Sequence, residues 1–153
     1  MAAPPHLIVS IPAQGLTLCL GNSVLHAFSI STSKFGIGTS QGSNHTPTGR
    51  FVVSEKHGAQ APLGTKFVGR VPQGICDPTS PDEQDHVLTR ILRLSGLDAA
   101  NANTYERYIY LHGTNQEERI GTPASHGCIR MKNEDIIALY DLVPIGTTVT
   151  ISD

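Results

Sequence analysis

The chain has 153 residues, with 11 Lys and Arg against 13 Asp and Glu and a formal net charge of -2. That length fits one domain able to bury roughly two thirds of its unfolded surface without a disulfide or metal staple. The charges are dispersed and no run approaches the roughly 18 to 20 apolar residues of a membrane span, so neither a nucleic-acid nor a membrane partner is expected.

In chain order, the opening MAAPPHLIVSIPAQG has neither a basic region nor the long apolar run of an export signal. The three cysteines, Cys19, Cys76 and Cys128, are odd in number and widely spaced, which suits a reducing compartment. Both features predict a cytoplasmic location, or a periplasmic one if an export leader has been trimmed away. Leu7 to Ile11, Leu16 to Leu20 and Val24 to Ser31 are short and apolar, and Gln14-Gly15 and Gly21-Asn22 punctuate them as a β-meander. GIGTSQG (Gly36 to Gly42) has no Lys-Ser/Thr ending and no helix after it, so it reads as a turn and not a phosphate loop. Thr46-Pro47-Thr48-Gly49 reads as a turn entering a strand, shaping one wall of a cleft.

Further strands are expected at Gly49 to Ser54, Thr65 to Val71, His86 to Leu94, Arg107 to Leu111 and Thr147 to Ile151. Val71 to Asp85, rich in Pro and Gly, and the polar turn Ser95 to Thr104 bracket the third of these. The whole is read as one domain over residues 1–153 with a lid or loop excursion at about 71–104. Asn133-Glu134-Asp135 supplies an N-cap candidate and acidic first-turn residues ahead of apolar positions at helical spacing, and Pro144 and Gly146 stop the helix. The expected fold is mainly β, a β-sandwich or mixed sheet with one docked helix after Cys128.

The densest chemical signal is Tyr110-Leu111-His112-Gly113-Thr114 followed by Ser125-His126-Gly127-Cys128-Ile129-Arg130-Met131. A thiol becomes a nucleophile at neutral pH only with a base or cation nearby, and His112 and His126 are both candidates. His126, two residues from Cys128, shares a face with it in an extended segment. His112 ends an apolar strand, and Gly113 after it permits a close approach of another segment. Gly127 allows the tight turn that aims backbone N–H groups at a developing oxyanion, and Arg130 suits a carboxylate.

TPTGRF at Thr46 to Phe51, YLHGT at Tyr110 to Thr114, SHGCIRM at Ser125 to Met131 and GTTVTI at Gly146 to Ile151 together resemble the L,D-transpeptidase catalytic domain, also called the YkuD-like domain. The resemblance implies a β-rich fold in which Cys128 attacks the carbonyl between diaminopimelate and D-alanine of a peptidoglycan stem, leaving a thioester. His112 would be the general base, with its ring oriented by the Gly113 carbonyl. Amides around His126, Gly127 and Cys128 would form the oxyanion hole, supported by Ser125 and His126, and Arg130 and Tyr110 would contact substrate. An amine acceptor makes the enzyme a transpeptidase; water, in a cytoplasm holding soluble muropeptides, makes it an L,D-carboxypeptidase. No cofactor is implied, and carbapenem β-lactams become expected covalent inhibitors.

Other readings of the same residues are a catalytically silent peptidoglycan-binding module and a zinc hydrolase using His112, His126 and Cys128 as ligands. Cys19 reads as core filler and Cys76 as an incidental loop residue. In LTRILRL, Arg90 and Arg93 alternate with apolar residues as a solvated strand face would, with Arg90 preferred as a contact for the acidic diaminopimelate side chain.

Overall fold

Alternation of apolar and polar residues decides the first hairpin. In the computed structural model, which describes residues 4–79 and 84–153, β1 (Pro5–Ser10) pairs antiparallel with β2 (Gly15–Leu20) so that Leu7, Val9, Leu16 and Leu18 are all buried. Residues 1–3 of the opening and Pro81 of the breaker-rich stretch lie outside the described residues. Gly21, at φ +60, takes the first central position of the two-residue turn into β3 (Ser23–Ser31), where a left-handed backbone matches the strand twist.

The remaining elements are β4 (Gly49–His57), β5 (Thr65–Val68), β6 (Val71–Ile75), β7 (Val87–Gly96), β8 (Tyr110–Gly113), β9 (Ile129–Met131), α1 (Asn133–Leu142) and β10 (Thr148–Ser152). The strand order is β4-β10-β1-β2-β3-β9-β8-β7-β5-β6, and β4 also pairs with β7. Eight strands therefore close on themselves, and the β5–β6 hairpin projects from β7. The fold is mainly β with one docked helix, as expected. Its sheet is mixed, since β1 with β10 and β8 with β9 run parallel.

Closure gives the sheet a core face and an outer face. Phe51, Val53, Leu92, Leu94, Leu111, Ile129 and Met131 point to the core face and pack with Ile136, Leu139 and Tyr140 of α1. Their sequence neighbours, at the other parity of each strand, point outward.

Several boundaries differ from the sequence reading. Thr65 to Val71 is not one strand: Gly69 and Arg70, at φ +56 and +66, turn the chain between β5 and β6. Arg107 and Tyr108 belong to a turn, with their amides bonded to Thr104 and Tyr105 carbonyls, so β8 starts at Tyr110. Within 71–104, β6 is exposed, whereas β7 is largely buried and pairs with β4, β5 and β8. Asn133 is not the N-cap of α1, which is Lys132. The Asn133 side chain is drawn inward to donate to the Thr114 carbonyl at 2.8 Å, and its backbone N–H donates to the Glu117 carboxylate at 2.7 Å. That anion sits at the positive end of the helix, where it is stabilising. Among the described residues no helix is long and apolar enough to cross a membrane.

Gly113 is packed tightly between β7 and α1. A Cβ there would lie 2.7 Å from the Leu88 carbonyl oxygen and 2.3 Å from Asn133 Oδ1. Gly113→Ala should therefore lower stability by about 1 to 3 kcal/mol, the usual range for an overpacked site, as read by urea denaturation. A neutral result would mean that β7 and α1 can move apart at no cost.

Candidate active site

The parallel pairing of β8 with β9 brings the two motifs together. Leu111 is opposite Ile129 and His112 is opposite Arg130. Leu111 and Ile129 face the core, so Tyr110 and His112 on one strand, and Cys128 and Arg130 at the next, share the outer face. Ile91 and Arg93 of β7, paired with His112 and Tyr110, continue that face.

His112 is buried, and its Nδ1 lies 2.5 Å from the Gly113 carbonyl oxygen. A carbonyl only accepts, so Nδ1 carries the proton and Nε2 presents a lone pair. Burial lowers the imidazole pKa against the opposing pull of Asp85 and the Gly113 carbonyl, keeping the ring neutral at physiological pH.

Cys128 rests as a thiol. Its Sγ–H donates to the Tyr108 carbonyl at 3.3 Å, and its sulfur accepts the Tyr110 N–H, also at 3.3 Å. Burial pushes its pKa up to about 11, against the lowering effect of the Tyr110 N–H and of the Arg107 and Arg130 charges. Tyr108 reaches the thiol only through a left-handed backbone, φ +56, which is uncommon for an aromatic residue.

The turn before Cys128 is braced from both sides. Ser125 donates to the Cys128 carbonyl at 2.6 Å and accepts the Gly127 N–H at 3.3 Å. Gly127 has φ +120, and a Cβ there would lie 3.3 Å from the His45 carbonyl oxygen. Thr46 of TPTG donates to the Gly127 carbonyl at 3.0 Å, and Arg107 donates to the carbonyls of His45 and Gly38 at 2.6 and 3.2 Å. Arg107 thus ties the glycine-rich turn to the segment that leads into Thr46, beside Gly127.

Beneath the pair, Arg130 is fully buried. Its guanidinium pairs with Asp85 at 3.0 Å and donates to Gln116 Oε1 at 2.7 Å. Those bonds would have to be exchanged before Arg130 could grip a substrate carboxylate. Asp85 also lies 3.9 Å from His126 Nδ1 and accepts the Thr114 hydroxyl at 3.4 Å. The His126 side chain is 53% exposed and its ring meets Phe35, with centroids 5.8 Å apart. Among the described residues no group of three His, Cys, Asp or Glu side chains could hold a metal ion, so His112, His126 and Cys128 are not gathered as ligands.

Arg90 lies elsewhere. It donates to the carbonyls of Ala61 and Thr89 at 2.8 and 2.7 Å and sits over the Tyr140 ring of α1, with Lys56 on the same ring. This corrects its expected place at the cleft: it shares parity with Leu92 and Leu94 and faces the helix. Arg93 stands on the outer face, stacked on Tyr105 at 3.5 Å and 3.6 Å from Glu55. Asp85, Tyr108 and Arg107 carried no sequence signal, since each reaches the site through a turn.

With this geometry in hand, the sequence profile of the YkuD family, described as the L,D-transpeptidase catalytic domain, matches residues 4–151. The chain belongs to that family. L,D-transpeptidase YqjB of Bacillus subtilis is 34% identical over 149 residues, covering 97% of this chain and 72% of the relative. L,D-transpeptidase YkuD of the same organism is 31% identical over 150 residues, covering 97% and 66%. Among solved structures, an L,D-transpeptidase from Mycobacterium smegmatis superposes with a TM-score of 0.67 at 19% identity, over 99% of this chain and 59% of that one. L,D-transpeptidase LdtMt1 in complex with imipenem gives 0.64 at 20% identity, over 99% and 59%. The mycobacterial likeness is one of fold, and this chain spans little more than half the length of those proteins.

For this L,D-transpeptidase-family site, alkylation of Cys128 by iodoacetamide in a Cys76→Ser background should accelerate about tenfold per pH unit above neutrality. It should level off only near the thiol's value of about 11. A plateau near neutral pH would reveal a preformed thiolate. Asp85 raises the thiol pKa, so Asp85→Asn should move the curve to lower pH. The same change should cost roughly 3 kcal/mol of stability by stranding the buried Arg130 charge.

Proposed function

We propose that Cys128 is the nucleophile of an L,D-acyl transfer that cleaves the amide between diaminopimelate and D-alanine in peptidoglycan tetrapeptide stems. The observation that carries this reading is the His112 tautomer: with Nδ1–H tied to the Gly113 carbonyl, Nε2 is a ready proton acceptor on the face that holds Cys128.

In the first half-reaction, Sγ attacks the diaminopimelate carbonyl carbon as its proton passes to His112 Nε2. A neutral thiol and a neutral imidazole favour transfer in step with attack over a standing ion pair. Backbone amides of the 126–128 turn receive the oxyanion. The Gly127 N–H is already engaged by Ser125, so the amides of His126 and Cys128 take that role. The imidazolium then protonates the departing amine, D-alanine leaves, and a thioester remains. In the second half-reaction His112 deprotonates the acceptor, which attacks the thioester and restores the thiol.

An amine acceptor gives transpeptidation and water gives L,D-carboxypeptidation. All three cysteines are free, which suits a reducing cytoplasm, where soluble muropeptides are the substrates and water resolves the thioester. β-Lactams fit the same chemistry, because their strained carbonyl meets the thiol and ring opening leaves an acyl group attached. Relatives of this fold have been solved in complex with imipenem and with a faropenem-derived adduct.

Incubated with a soluble tetrapeptide stem, with and without a D-amino acid, the protein should release D-alanine by mass spectrometry. Exchange of the terminal residue would mark transfer, and its simple loss hydrolysis. Cys128→Ala should abolish both, and His112→Ala should slow acylation by roughly 10² to 10⁴. Undiminished turnover in Cys128→Ala would remove the proposed mechanism.

A further inference from the structure

The β5–β6 hairpin carries an arginine at its tip that the acyl-transfer chemistry above does not use. Arg70 stands in the left-handed region, φ +66, directly after Gly69. Such two-residue turns favour Gly or Asn at that position, so a long cationic side chain is held there at a conformational cost. The turn sends it back over the outer face, where Nη1 donates to the Tyr110 hydroxyl at 2.9 Å and the guanidinium lies 5.2 Å from the Tyr108 ring centroid.

Both tyrosines belong to the surroundings of Cys128. The Tyr108 carbonyl and the Tyr110 N–H are the two partners of its thiol, and Cys128 packs against the cluster of Phe67, Ile91 and Tyr110. The neighbouring Arg93 is neutralised by Glu55 at 3.6 Å. Among the described residues Arg70 has no ion pair within bonding distance, although the Glu55 carboxylate acts on it from farther away, and its hydrogen bond goes to the Tyr110 hydroxyl. A phenol that accepts from a guanidinium still has its own proton to give. Arg70 and Tyr110 together thus present hydrogen-bond donors next to the residues that contact the Cys128 thiol.

We propose that Arg70 and the Tyr110 hydroxyl form a carboxylate subsite beside Cys128 that receives the free side-chain carboxylate of the acyl-donor residue. The proposal rests on the acyl-transfer reading and names the feature of the donor that the site selects. Diaminopimelate carries such a carboxylate at the far end of its side chain. The planar guanidinium fork matches it, with a donor to spare for the phenol.

Three soluble tetrapeptide stems separate the possible sources of the carboxylate: one with free acids, one amidated on the diaminopimelate side chain, and one amidated on the D-glutamate. With wild-type protein, amidation of diaminopimelate should lower kcat/KM for D-alanine release by about 10- to 100-fold, the worth of a charge-assisted hydrogen-bonded pair. Amidation of D-glutamate should have no comparable effect. Arg70→Gln should lower kcat/KM on the free-acid stem by a similar factor and bring the free-acid to amide ratio close to one. Arg70→Lys should restore part of that ratio. Tyr110→Phe, which removes one oxygen, should reduce the ratio as well, and decides the matter if Arg70→Gln does not fold. A wild-type protein indifferent to diaminopimelate amidation, an Arg70→Gln variant that still discriminates, or discrimination that follows D-glutamate would overturn the subsite. Failure of the wild type to release D-alanine from any stem would instead overturn the acyl-transfer reading beneath it.

Discussion

Parallel pairing of β8 with β9 is the constraint from which the site follows. Parallel neighbours cannot be joined by a tight turn, so the chain between His112 and Cys128 must travel out and return. It does so through Gln116, Glu117 and the 121–127 turn, and each part of that path serves the site. Gln116 binds Arg130, Glu117 holds the start of α1, and Ser125 and Gly127 set the turn carrying Cys128. Because Leu111 and Ile129 are locked to the core face, slipping either strand by one residue would bury the histidine or the cysteine sulfur among aliphatic side chains. The packing that stabilises the ring thus also sets the alignment of its chemistry.

That alignment is electrostatically restrained. Burial keeps both the thiol and the imidazole uncharged, and two of the charges that act on both, Asp85 and Arg130, pair with each other. A buried ion pair of this kind adds little net stability compared with apolar packing. Its effect here is to place opposed charges next to the Cys128 thiol and the His112 imidazole. The strained Tyr108 turn adds a third element, since its carbonyl accepts the S–H of Cys128.

Much of this was legible in the sequence, for reasons that differ by element. β1, β2 and α1 follow from periodicity, and the join of His112 to Gly113 announced a close approach that the Leu88 carbonyl and Asn133 fill. β9, three residues long, is too short for periodicity to register. The turn at Gly69 and Arg70 was hidden because an arginine occupies a glycine-like position. Arg90 and Arg93 could have been separated by parity alone, since Arg90 alternates with Leu92 and Leu94, the residues of the core face. Asp85 could not have been found that way: it reaches Arg130 across 45 positions of sequence, from a stretch without periodicity.

In the proposed mechanism a carbonyl becomes covalently attached to Cys128, and the intact mass of the enzyme during a single turnover reports that bond. Wild-type protein mixed with excess tetrapeptide stem and quenched in acid on the subsecond to minute scale should gain the mass of the stem less its terminal D-alanine. Proteolysis should place that mass on the peptide containing Ser125 to Met131, and it should disappear on treatment with hydroxylamine, as a thioester does. Release of D-alanine with no covalent species at any time, or with the added mass on Cys76, would rule out Cys128 as the acylated residue.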